Sequence, residues 1–111
     1  MPPSDQVRLR HIVDAARRAM TFLEDRRRDD LGGDEMLGLA LVRLLEVIGE
    51  AARGVSDRLR REHPEIAWSK MAGMRDRLIH GYFDIDFDIV WATVQEDLPR
   101  LIHQIEPLLV P

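Results

Sequence analysis

The longest uninterrupted pattern in the chain is an apolar stripe. Leu37, Leu41, Leu44, Leu45, Ile48, Ala51, Ala52, Val55 and Leu59 recur at three- and four-residue spacing, which sets them on one face of a helix of about six turns. Such a stripe must be covered by other apolar surface. With 111 residues the chain can build one core around it but not two. Strand signals are nearly absent. The run Phe83-Asp84-Ile85-Asp86-Phe87-Asp88-Ile89 alternates with period two, but it is acidic and leads into a helical pattern, so it reads as an extended connector. The remaining cover must come from further helices. The expected fold is all-α: an up-and-down bundle of four to five helices, in a single domain over residues 1–111.

The other helices follow from the same periodicity. Ser4 is placed to cap a first helix whose apolar face holds Ile12, Ala15, Ala16, Ala19, Phe22 and Leu23. This helix should fade in the charged run 24–30 and stop at Gly32-Gly33. Asp34 should cap the long second helix, which ends near Arg61, ahead of Pro64. A third helix is expected from about 68 to 80, with Met71, Met74 and Leu78 on one face and Gly81 as its terminator. Asp84 or Asp86 should cap a last helix, running from Ile89 to Leu109, that Pro99 kinks or splits.

The chain has no cysteine, which removes disulfides, thiolate metal sites and a cysteine nucleophile, and suits a reducing compartment. No N-terminal leader pattern and no apolar run near the ~18 residues needed to span a bilayer is seen. A cytoplasmic protein without a membrane association is expected. The net charge of -4 argues against a generic polyanion binder. Residues 1–62 carry 12 basic and 12 acidic groups, and residues 63–111 carry 4 and 8. Fifteen of the 16 basic residues are arginine. Guanidinium forks suit phosphate and acidic partners, although a GC-rich genome alone would also favour arginine.

The densest set of chemical groups lies in 74–83, around Arg75-x4-His80-x-Tyr82. On a regular helix Arg75 and Tyr82 nearly eclipse, whereas Arg75 and His80 stand about 140° apart. One regular helix therefore cannot unite the three. The motif must straddle a helix end or be completed by a neighbouring chain. In the last turn of a helix His80 would feel the dipole, and Asp76, at i,i+4, could orient its imidazole. Histidine moves protons near neutral pH, and arginine is a permanent bidentate phosphate ligand. Together they suffice, without a metal, for attack of a ribose 2′-hydroxyl on the adjacent phosphodiester. That chemistry cleaves RNA and spares DNA.

The sequence resembles the HepT-like family, a branch of the HEPN superfamily of helical domains. The resemblance is carried by residues 45–52, 64–68, 73–83, 88–91 and 96–99, in the family's order, with the full Arg-x4-His-x-Tyr string among them. It implies a homodimer-forming helical bundle and a ribonuclease toxin of a type II or type VII-like toxin–antitoxin pair, acting on cellular RNA such as tRNA. It assigns Arg75 and His80 to catalysis. It makes Tyr82 the acceptor of AMP from a nucleotidyltransferase antitoxin, and it implies no cofactor. The family commonly has asparagine after the motif arginine, where this chain has Asp76. The carboxylates of Asp76, Asp84, Asp86 and Asp88 oppose RNA binding, and the trio at 84–88 is also suited to capping the last helix.

Glu46 and Glu50 lie one turn apart, but the Glu-x-x-His companion of a bundle metal site is missing. Glu50 reads as a buried or interfacial hydrogen-bond partner, of Arg75 or of a helix end. His11, His63 and His103 read as surface or capping residues, and Met71, Met74, Trp68 and Trp91 as core or dimer interface. Arg58, Arg60 and Arg61 favour a helix end, with RNA contact as a second use. The alternative to a nuclease is a non-enzymatic helical partner of a nucleotidyltransferase, or a module that binds a nucleotide through Arg75.

Overall fold

A computed structural model describes residues 3–80 and 84–111 of the chain. Its framework is two long helices, α1 (Pro3–Phe22) and α3 (Glu35–Arg53). Leu9, Ile12, Ala16 and Ala19 of α1 meet Leu41, Leu45, Ile48 and Ala52 of α3, and all eight are fully buried. Small residues on α1 let the helices approach closely, while each buried Leu or Ile contributes about 1.5–3 kcal/mol. α1 begins with Pro3 in its first turn, where a missing N–H and a fixed φ suit a helix start. Ser4 therefore lies inside the helix rather than capping it. Phe22, expected in the core, ends the helix and is 36 % exposed, and Leu23 takes the core position.

Beyond α1 the chain turns through Asp25 in the left-handed region, at φ 59°. It then forms a single turn, α2 (Asp30–Gly33), that buries Leu31. The expected first helix is thus shorter by about ten residues, since the charged run 24–30 has no apolar side to hold it. Arg28 of that run donates to Asp88 at 2.6 Å. Asp34 caps α3 as expected, accepting from the Leu37 N–H at 3.1 Å.

The long second helix does not persist to Arg61. It stops at Gly54, and Ser56 starts α4 (Asp57–Glu62) by accepting from the Leu59 N–H. The break is held from two sides. Asp5, only 1 % exposed, accepts from Ser56 N–H at 2.9 Å and from its hydroxyl at 2.6 Å. Arg60 donates to the carbonyls of Ala52 and Arg53 at the C-terminal end of α3.

The expected third helix is also divided, into α5 (Trp68–Ala72) and α6 (Met74–Leu78), with Gly73 between them at φ -88°, ψ 9°. Trp68, Met71, Met74 and Leu78 point into the core. From Ile79 the chain is extended. Strand β1 (Ile79–His80) pairs antiparallel with β2 (Asp84–Ile85), Ile79 opposite Ile85 and His80 opposite Asp84. The connector between the last two helices is therefore partly a short ladder. Its period-two pattern was a strand signal.

Asp86 caps α7 (Phe87–Ala92) through the Ile89 N–H at 3.1 Å. A π-helical turn (Thr93–Asp97) follows, and then α8 (Leu98–Ile105). Pro99 sits at the start of α8 and splits the stripe, because it has no N–H for the carbonyl one turn back. The fold is all-α apart from the two-residue ladder. No helix among the described residues is long and apolar enough to cross a membrane.

Candidate functional site

A cleft of about 550 Å³ opens between α3 and the α5–α6 pair. One wall is Glu46, Gly49, Glu50 and Arg53; the other is Ala72, Arg75, Asp76 and Ile79. The first set has the i, i+3, i+4, i+7 spacing of one helical face; the second is drawn from the end of α5, from α6 and from β1. Gly49 lets the walls approach. A Cβ there would lie 2.8 Å from the Met71 carbonyl oxygen, closer than a side chain tolerates. Arg53 ties the walls together by donating to the Ala72 carbonyl at 2.8 Å, at the break that Gly73 creates.

Arg75, early in α6, has a side chain that is 72 % exposed. Its Nε stands 3.8 Å from an oxygen of Glu46, whose side chain is 24 % exposed. A contact that long holds the guanidinium over the cleft without saturating its donors. Glu50, expected as a buried or interfacial hydrogen-bond partner, is exposed and lines the cleft, and its neighbour one turn earlier, Glu46, is the carboxylate that pairs with Arg75. Asp76 is exposed on the same wall as Arg75. The cleft thus gathers two guanidinium groups and three carboxylates.

His80 is not in the last turn of a helix. α6 ends at Leu78, whose carbonyl accepts from the Asp86 N–H at 2.8 Å, and His80 is exposed on β1. The helix-dipole argument for this imidazole therefore fails. So does its orientation by Asp76, because i,i+4 proximity requires an unbroken helix. Among the described residues no hydrogen bond joins the two. Ile79 lines the cleft, and successive side chains of an extended strand face opposite sides, so the structure does not bring His80 into the cleft of its own chain. Tyr82 lies outside the described residues.

The acidic trio separates into different roles. Asp86 caps α7, Asp88 pairs with Arg28, and Asp84 sits exposed opposite His80. Arg60 is a structural cap, and Arg58 pairs with Glu62 along α4. His63 faces Glu65 at 3.2 Å and accepts the Trp68 indole N–H on its carbonyl. Arg53 is the site residue that motif reasoning passed over, and Glu46 was weighed only as half of a metal pair. The spacing Glu46, Glu50, Arg53 on a helix flanking the motif was the signal that would have found them.

A helical fold that holds an arginine over a charged cleft, with a histidine at the following helix–strand junction, falls among the HEPN-like helical domains. More narrowly, the chain belongs to the ribonuclease HepT-like family, whose sequence model matches residues 12–108. It is 45 % identical over 80 residues to a protein of Thermococcus cleftensis named "Probable ribonuclease HepT", covering 72 % of this chain and 73 % of that one. It is 35 % identical over 95 residues to a "Putative RNase" of Methanocaldococcus jannaschii, covering 86 % and 87 %. A third relative, a "Putative RNase" of Caldanaerobacter subterraneus subsp. tengcongensis, is 40 % identical over 81 residues, or 73 % and 72 % of the two chains. No solved structure matches the chain.

Proposed function

We propose that the chain is an RNA endonuclease that works as a dimer, with Arg75 holding the scissile phosphate and His80 moving the proton. The observation that carries this reading is the exposed guanidinium of Arg75 over the cleft, restrained only by a 3.8 Å contact to Glu46. A phosphate that displaces Glu46 gains a bidentate, charge-assisted contact. As the 2′-oxygen attacks, charge builds on the phosphoryl oxygens, and Arg75 stabilises it without reorganising. His80 exchanges the proton with the 2′-hydroxyl or with the departing 5′-oxygen. The arginine and histidine supply both functions, so the reaction is assigned as metal-independent. The family's known relatives, named as RNases, support the substrate class.

Since β1 turns His80 away from its own cleft, the reading needs a second copy of the chain to bring a His80 toward Arg75. This fits the homodimer that the resemblance implies. The resemblance also supports a cytoplasmic toxin acting on cellular RNA, tRNA included, and a nucleotidyltransferase antitoxin that transfers AMP to Tyr82. An adenylyl phosphate two residues after His80 would repel and obstruct RNA. Mass spectrometry after co-expression with such a partner should show AMP on Tyr82; an unmodified but fully inhibited protein would assign control to binding alone.

The second reading is a non-enzymatic partner of a nucleotidyltransferase. It is favoured by the carboxylates of the cleft, three against two guanidinium groups. The two are separated by incubating purified protein with single-stranded RNA in excess chelator. The nuclease reading expects cleavage that leaves 2′,3′-cyclic phosphate ends and fails on a strand whose sugars are 2′-deoxy. An intact RNA strand, with the partner enzyme bound tightly, would establish the second reading instead.

A further inference from the structure

A second furrow of about 480 Å³ adjoins the cleft and shares Glu50 with it. It runs between α1 and α3. Arg8 and His11, one turn apart on α1, face Arg43 on α3 across a floor of Val47 and Ala51. Three features mark it. The chain is acidic as a whole, yet this furrow carries Arg8, His11 and Arg43 against Glu50 alone. Neither Arg8 nor Arg43 enters a side-chain ion pair or hydrogen bond among the described residues, a state they share with Arg61, Arg77 and Arg100, whereas Arg17, Arg26, Arg28, Arg58 and Arg75 each have a carboxylate partner. And Arg8 is seated. Its guanidinium lies where a Cβ at Gly54 would overlap it, beside the C-terminal end of α3, where a cation is favoured.

We propose that this furrow is the track for the single-stranded RNA that continues from the scissile phosphate. Resting on the nuclease reading above, it names the residues that hold the substrate beyond the cleavage point. Arg43 and Arg8 each take a backbone phosphate, and Val47 and Ala51 give an apolar floor against which a sugar or base packs. Among the described residues no Phe, Tyr or Trp lines the furrow and His11 is its one ring, so it grips the backbone rather than stacking successive bases, and it binds with little sequence preference. Glu50 stands where cleft and furrow join. Its carboxylate keeps a phosphate from resting there and so sets the register between the phosphate at Arg75 and the next one at Arg43.

The test uses an RNA strand with 2′-O-methyl sugars, which cannot be cleaved, and measures binding by fluorescence anisotropy as salt is varied. The wild-type protein should bind it with a log-log salt slope that the double variant R8Q/R43Q reduces by about 1.4, at about 0.7 per phosphate contact on a single strand. Affinity near ~0.1 M salt should fall roughly tenfold. R8K/R43K, which keeps both charges, should retain most of the slope and shows that the glutamine effect is not misfolding. An unchanged slope and affinity in R8Q/R43Q would overturn the track while leaving the nuclease reading standing. Loss of slope in R8Q/R43Q with no cleavage of ordinary RNA by wild type would support the track and sink the nuclease.

Discussion

Arg75 and Glu46 form a long, partly exposed contact, and an ion pair of that kind is worth about 1 kcal/mol or less. Glu46 therefore restrains the arginine without competing strongly with a phosphate. Glu46→Gln should accordingly tighten RNA binding, by up to about fivefold, and leave the protein folded; weaker binding would make Glu46 an essential support of Arg75 instead. Asp5 is the opposite case. It is 1 % exposed and accepts two hydrogen bonds from Ser56, so Asp5→Ala strands a backbone N–H and a hydroxyl. The expected loss is about 2 kcal/mol, read from urea unfolding. A change below a few tenths would mean that Ser56 caps α4 without help from α1. Their roles come from partners 29 and 51 positions away in the chain.

At the scale of elements, the two clear apolar stripes reported helices faithfully but not their ends. The stripe through Val55 and Leu59 continues past Gly54 because both residues are buried, even though the backbone breaks between α3 and α4. A stripe records which side chains face the core. It does not record whether the helix carrying them is continuous. The signals for the breaks were local: Gly54 with Ser56 for α4, and Gly73 for the division before α6. The expected caps at Asp34 and Asp86 were correct because an Asp three residues before a backbone N–H acts locally. The β1–β2 ladder was missed because each strand is two residues long, and only pairing across the connection defines it. The site followed the same division. Arg75 was legible as a candidate phosphate ligand from its motif, and its side chain lies over the cleft. The placement of His80 was not, because it depends on where α6 stops. Gly49 is the sharpest test of the inter-element geometry. Gly49→Ala sets a Cβ against the Met71 carbonyl, a backbone atom that cannot turn aside, so stability should fall by about 1–3 kcal/mol. Unchanged thermal unfolding would show that α3 and α5 separate easily.

For the whole molecule, the proposed nuclease calls for a second copy of the chain, because Ile79 and not His80 lines the cleft beside Arg75. In a symmetric dimer each site would take Arg75 from one protomer and His80 from its partner. Mixing R75A with H80A protein after reversible unfolding should then restore about one quarter of wild-type activity, since half the dimers are mixed and each holds one intact site. No recovery would place both residues of a site on one chain. That experiment presupposes that the two residues do the chemistry, and the most direct measurement is simpler. Purified wild type, R75A and H80A are each given the same RNA strand in excess chelator, and initial cleavage rates are compared. The account predicts that wild type cleaves and that H80A is slower by about 10²–10⁴-fold, with R75A slower by about 10²–10³-fold. Cleavage by H80A at the wild-type rate would contradict it.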